Sequence, residues 1–248
     1  MCSLSVRDVE NKYDDEKHMR KKTMDINNFE GLDSFMRQPA NSRKRGGGLF
    51  IKKSDLNKEL LLCPNCPEYI NDRCILKKCP IIKYRIEYNL ASREEILKAI
   101  QYDTRNKELK HRIKEMLEVD VMKNKMFATL GHQGRFEKAI KTINKKNKSL
   151  VAAVYLLTID NKVWSEFRSA VSNNNIPLET KKLHSSGEFG YVYYCAAKDL
   201  FLGTQSITIG ELADKSLVPA RIFALIINAL SIKQYGLKAI LNSDAERN

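Results

Sequence analysis

Apolar positions follow two different regimes along this chain. Between Ser92 and Leu117 they recur at helical spacing: Ile96, Leu97 and Ile100, then Leu109, Ile113, Met116 and Leu117, with a polar stretch from Asp103 to Lys107 between them. Ser92 and Glu95 form a capping-box signature, in which the serine oxygen accepts from an early N–H and the glutamate reaches back. A further helix is predicted from about Gly134 to Asn144, with Phe136, Ala139, Ile140 and Ile143 inward. Lys107, Lys110, Arg112 and Lys114 are expected on outer faces, and Lys138, Lys141, Lys145 and Lys148 along the outer side of the next segment. From Ser149 onward the spacing gives way to continuous apolar runs. "LVAAVYLLT" (150–158) reads as a helix buried on every side. "VWSEFRSAV" (163–171) holds the single tryptophan, Trp164, expected as a core anchor. "NNNIP" (173–177) breaks the chain, and "FGYVYYCAAKDLFLG" (189–203) reads as a helix that Gly203 caps. Tyr191, Tyr193 and Tyr194 cannot share one face of that helix, so core and rim packing is expected rather than a platform for stacking bases. The alternation in "IIKYRIEYNL" (81–90) predicts a short strand.

The first 48 residues are sparser. A polar helix is expected from Val6 to Met24, and a short amphipathic one in "NNFEGLDSFMRQP" that ends before Pro39. In "NSRKRGGG" (41–48), Arg43, Lys44 and Arg45 meet three consecutive glycines, whose backbone entropy disfavours any regular element. A hinge or exposed basic loop is expected there, with an arm that orders on a phosphate backbone as the alternative. The stretch "TIGELADKSLVPARIFALIINAL" (208–230) matches a bacterial helix-turn-helix at Glu211-Leu212-Ala213, Val218 and Leu230. Its second helix would nevertheless offer base edges Pro219, Ala220, Phe223, Ala224 and Ile227, with Arg221 as the one side chain able to bond a guanine. A helix that apolar belongs in a core, so no DNA reading is expected from it.

Charge sharpens this picture. The 248 residues carry a net +13, and the excess is local: residues 63–148 hold 20 Lys/Arg against 11 Asp/Glu, a net of +9. Such a field attracts polyanions. An apolar content of 43 % supports a real core. The N-terminus lacks an apolar run after its charges, and the longest apolar runs are too short to span a bilayer, so an intracellular, cytoplasmic protein with no membrane partner is expected. In a reducing compartment clustered cysteines bind metal more often than they form disulfides.

Such a cluster is present. In "CPNCPEYINDRCILKKCP" (63–80), Cys63 and Cys66 have the two-residue spacing that lets one turn offer both sulfurs to one ion. Cys74 and Cys79 complete the four thiolates of a closed tetrahedral zinc site, and Pro64, Pro67 and Pro80 stiffen the loops. An iron–sulfur cluster is the alternative, suggested by Cys79-Pro80, but the spacings match neither ferredoxin pattern. A closed site leaves no position for water, so the metal's expected role is structural: it would fold the segment and hold Arg73, Lys77, Lys78, Lys83 and Arg85 in place. Cys195, in an apolar helix, is expected as a small core residue.

Catalytic signatures are not evident: there is no P-loop, no glycine-rich dinucleotide turn and no metalloprotease histidine pair. His18, His111, His132 and His184 are dispersed, and His132, in "LGHQGRF", is expected as a loop or cap residue between helices. Residues 150–242 resemble small uncharacterised proteins of bacterial phages and mobile elements through "YLLTIDNKVWSEF", "YCAAKDLFLG", "ITIGELAD" and "LIINALSIKQYGL". The resemblance implies a compact helical fold and a mobile-element origin, and transfers no functional residues.

The expectation is a mainly α protein. A flexible basic N-terminal region (1–48) leads into a four-cysteine zinc knuckle (49–90), a basic helical segment (91–148), a compact helical bundle (149–242) and a tail (243–248). Its expected function is that of a non-catalytic phage or mobile-element accessory protein. It would contact nucleic acid or a ribonucleoprotein through Arg43, Lys44, Arg45, Arg73, Lys77, Lys78, Lys83, Arg85, Lys138, Lys141 and Lys145. The alternatives are an inhibitor or adaptor of a host protein that docks through the C-terminal helices, and an iron–sulfur enzyme.

Overall fold

The computed structural model describes residues 58–66, 68–71, 73–119 and 125–241, and the chain divides after Leu90 into two units. The expected helices of 6–24 and 27–39, the Arg43–Lys44–Arg45 loop and its glycines lie outside the described residues.

In the first unit two short 3-10 turns, Glu59–Leu61 and Cys63–Asn65, precede a hairpin of β1 (Tyr69–Ile70) and β2 (Arg73–Cys74). Tyr69 pairs with Cys74 and Ile70 with Arg73, and Asn71 takes a left-handed φ of 50° in the turn, a conformation asparagine tolerates. The segment expected as a strand is instead helix α1 (Ile82–Glu87). Its inward residues, Ile82, Arg85 and Ile86, fall at i, i+3 and i+4, so the apolar alternation was incidental to a helical face. Among the described residues Leu61 and Ile81 form one small core cluster, with Cys79, Tyr84, Tyr88 and Leu90 packed against it, and Ile82 and Ile86 are buried as well.

Every regular element among the described residues of the second unit is a helix. α2 (Arg93–Asp103) starts at the predicted capping box, with the Ser92 Oγ accepting from the Glu95 amide at 3.2 Å and Glu95 Oε2 accepting from the Ser92 amide at 2.7 Å. α3 (Lys107–Glu118) follows, capped by Asn106. α4 (Leu130–Ala139) begins four residues before the expected start because Thr129 supplies an N-cap, its Oγ1 accepting from the His132 amide at 3.1 Å. α5 (Lys148–Leu157) is the central helix: Leu150 to Leu157 are all fully buried, and it packs against α4, α6 (Asn161–Phe167), α7 (Gly190–Leu202) and α9 (Ala220–Tyr235). α7 ends at Gly203, whose φ of 75° is the left-handed cap its lack of a Cβ permits. α8 (Ile209–Ala213) opens on a second capping box, Thr208 with Glu211, and packs on α3. α9 meets α2 and the short α10 (Lys238–Leu241).

Three expectations are corrected here. Trp164 is only half-buried; the anchors of α6 are Val163 and Phe167, one turn apart. Arg112 is buried rather than on an outer face. It donates to the carbonyls of Leu212, Asp214 and Val218 and lies 4.2 Å from the Phe223 ring centroid, closing the α8–α9 connection. His132 sits inside α4 and is buried, not in a loop. In the stretch that resembles a helix-turn-helix, Phe223, Ala224 and Ile227 are core residues of α9, as its apolar pattern predicts. Tyr191 is exposed while Tyr193 and Tyr194 are buried, and Cys195 is a core residue. Among the described residues no helix is long and apolar enough to cross a membrane.

Candidate metal centre and basic surfaces

Backbone geometry brings the four cysteines to the lining of one pocket. Pro64 opens the 3-10 turn at Cys63, and the Cys66 amide closes it on the Cys63 carbonyl at 2.9 Å, so that turn carries both sulfurs of the first pair. The hairpin starts from Cys66, whose carbonyl accepts from Tyr69, and returns the chain at Cys74 opposite Tyr69. Cys79 precedes α1 and its carbonyl accepts from the Ile82 amide at 3.3 Å. All four line a single pocket of about 20 Å³, walled by Leu61, Leu76 and Ile81 and closed by Arg85. That volume suits one water-sized or ion-sized occupant. Burial raises the Cys66 thiol, and the nearby Cys74 adds to the rise. Cys63, Cys66 and Cys79 are half-buried and Cys74 is exposed. Among the described residues no three or more His, Cys, Asp or Glu side chains are already gathered as a metal-ligand set, so the sulfurs share a pocket without being drawn onto a common centre.

The cations expected beside the cysteines separate. Arg73, Lys77 and Lys83 are exposed and Lys78 is half-buried. Arg85 is not a surface cation: it is buried, and its Nη2 donates to the Leu90 carbonyl at 2.7 Å, bracing the end of α1. In the second unit Lys138, Lys141 and Lys145 are exposed, but α4 ends at Ala139, so Lys141 and Lys145 stand on a turn rather than in a helical row. Lys146, which the sequence reading passed over, is exposed on the same turn. Arg43, Lys44 and Arg45 lie outside the described residues.

Two further polar arrangements had no sequence signal, because their members are distant in the chain. In the core, Arg93 donates to Asn228 Oδ1 and to Ser231 Oγ, Asn228 donates to the Tyr155 hydroxyl at 3.1 Å, and that hydroxyl donates to the Met126 carbonyl. Burial lowers the Arg93 guanidinium to about 10, which still leaves it charged at neutral pH. Between α3 and α8 an open groove of about 530 Å³ holds Glu115, whose Oε1 is 2.7 Å from Lys215 and 3.4 Å from His111. The lysine's hydrogen bond holds that carboxyl below its ordinary range. No family model, no curated protein and no solved structure matches this chain.

Proposed function

We propose that this protein is a non-catalytic zinc-binding accessory protein that contacts nucleic acid or a ribonucleoprotein through exposed cations of its middle third. The reading is carried by one observation: Cys63, Cys66, Cys74 and Cys79 all open on the same small, apolar-walled pocket. Four thiolates saturate a tetrahedral zinc ion and leave no open position, which makes the metal structural rather than catalytic. Within the described residues of this unit the cluster around Leu61 and Ile81 is small, and a bound ion would add to the support it gives. Binding draws the sulfurs from around the pocket onto one ion, so the free energy of binding becomes free energy of folding. Arg73, Lys77 and Lys83 then project from a braced unit toward solvent, where phosphate contact releases counterions. The phage or mobile-element origin enters this reading through the resemblance of residues 150–242 alone.

Elemental analysis of the purified full-length protein tests the metal: about one zinc per chain with no visible absorption is expected. A brown protein containing iron replaces zinc with an iron–sulfur cluster, and a metal-free protein that retains its fold refutes the site. For the partner, affinity for nucleic acid is expected to fall linearly with salt on logarithmic axes. The absence of any binding to DNA or RNA at low salt refutes that half.

A further inference from the structure

The stretch from Lys138 to Lys148 contains five lysines and no acidic residue. It forms the connection between α4 and α5, and Lys138, Lys141, Lys145, Lys146 and Lys148 are all exposed. The adjoining acid, Glu137, is engaged one turn back, its Oε1 accepting from Gln133 at 2.8 Å. Among the described residues no carboxylate pairs with Lys138, Lys141, Lys145 or Lys146.

The backbone beneath these lysines is fixed. Ile140 and Ile143 anchor it in the core. The Asn144 amide donates to the Asn173 carbonyl at 2.7 Å, and its Nδ2 donates to Asn174 Oδ1 at 2.9 Å. Asn144 Oδ1 accepts from the Lys146 amide at 3.0 Å, and Thr142 Oγ1 donates to the Ala139 carbonyl at 2.9 Å. Lys148 Nζ reaches the Gln234 carbonyl at 3.3 Å, which ties the far end to α9. A polyanion would therefore not have to order the turn that bears the charges.

We infer that this connection is a docking surface for the sugar–phosphate backbone of a nucleic-acid duplex. Charge complementarity selects a polyanion. The surface has no exposed apolar side chain in residues 138–148, so it lacks the anchor on which protein interfaces concentrate their energy. It also has no aromatic residue on which an unpaired base could stack, which disfavours single strands. Contact is thus with phosphates and independent of sequence. This inference rests on the nucleic-acid half of the proposed function and not on its zinc half.

The test measures binding of the full-length protein to mixed-sequence DNA duplex, RNA duplex and single-stranded DNA across a salt series. A variant carrying K138Q, K141Q, K145Q and K146Q is compared with the all-arginine variant at the same positions and with the set R73Q, K77Q, K78Q and K83Q. The glutamine variant at 138–146 is expected to keep the wild-type melting temperature and lose about tenfold or more in duplex affinity, with the logarithmic salt slope reduced by about 3–4, near 0.9 per phosphate released. The arginine variant is expected to bind as wild type. Binding to one duplex alone supports the inference and identifies DNA or RNA as the source. Unchanged affinity and slope in the glutamine variant overturn it, and so does a preference for the single strand. If the 73–83 set abolishes binding while the 138–146 set does not, this inference falls and the proposed function stands. If the wild type binds no nucleic acid, both fall.

Discussion

His132 is held by two bonds that require opposite roles of its ring. Its Nδ1 accepts from the Ala128 amide at 3.1 Å, which leaves the proton on Nε2 to donate to the Tyr155 carbonyl at 2.9 Å. Phe127 and Tyr155 pack edge-on against the ring, with centroids at 5.2 and 4.8 Å. Burial first, and the nearby Arg135 second, push its pKa down to about 4, against the opposing effect of the Tyr155 bond. The neutral form is thus the one the fold accepts. Its stabilising contribution is complete above the ordinary histidine value near 6.5 and is lost as pH falls through about 4. Between pH 7 and pH 4 this one group is expected to remove about 3 kcal/mol of stability, read from denaturant midpoints. His132→Gln, compared with wild type across that range, should flatten the profile; an equally steep loss in the variant would locate the pH dependence elsewhere. At Glu166 the pKa is also lowered, but here the fold favours the charged form. The backbone N–H of His184, then that of Ser185, donate to its carboxylate and hold it down to about 2, so this anchor of the 184–185 loop survives mild acid.

Two glycines with the same sequence appearance behave differently within their helices. An added Cβ at Gly134, in α4, meets nothing within 4 Å, whereas one at Gly190, at the start of α7, lies 2.5 Å from Asp160 Oδ2 and 2.7 Å from Ser186 Cβ. Asp160 cannot readily withdraw: its Oδ1 caps α6 through the Lys162 and Val163 amides, and its Oδ2 accepts from Gly187 at 2.7 Å. Gly134→Ala is expected to stabilise by about 0.5–1 kcal/mol through helix propensity. Gly190→Ala should destabilise by about 1–3 kcal/mol through the clash. Thermal unfolding of the two variants checks the contrast, and equal shifts would show that the Asp160 junction yields. Caps were legible in the sequence because their chemistry is local: Ser92 with Glu95 and Gly203 stand where the spacing predicted. In the 81–90 segment six apolar and charged residues fit both a period of two and a helical face, and the burial of Ile82, Arg85 and Ile86 on one side shows that the helical face is the one formed.

At the scale of the whole chain, the described residues of the two units differ in how many apolar side chains they bury. Residues 91–241 bury a continuous apolar helix, α5, among four others, and large apolar side chains of that kind contribute about 1.5–3 kcal/mol each. Residues 58–90 have a small core and four cysteines. With zinc bound as proposed, a chelator is expected to abolish amide hydrogen-exchange protection in α1 while that of α5 persists. Retained protection in α1 after metal removal would show that the unit folds without the ion. The sequence by itself determined the mainly helical character, the apolar stretch that became α5, the caps at Ser92 and Gly203, and the burial of α9, because periodicity, capping and all-round hydrophobicity are properties of neighbouring residues. It also showed four cysteines clustered between residues 63 and 79. Only the tertiary structure decided which charges face water. Arg85 and Arg112 are expected at the surface from the sequence, yet both are buried with carbonyl partners, and Arg93 is buried with amide and hydroxyl partners. The sequence separations to the Asn228, Ser231, Leu212 and Asp214 partners exceed any local pattern, and an arginine's long apolar stem gives no warning of where its head will rest.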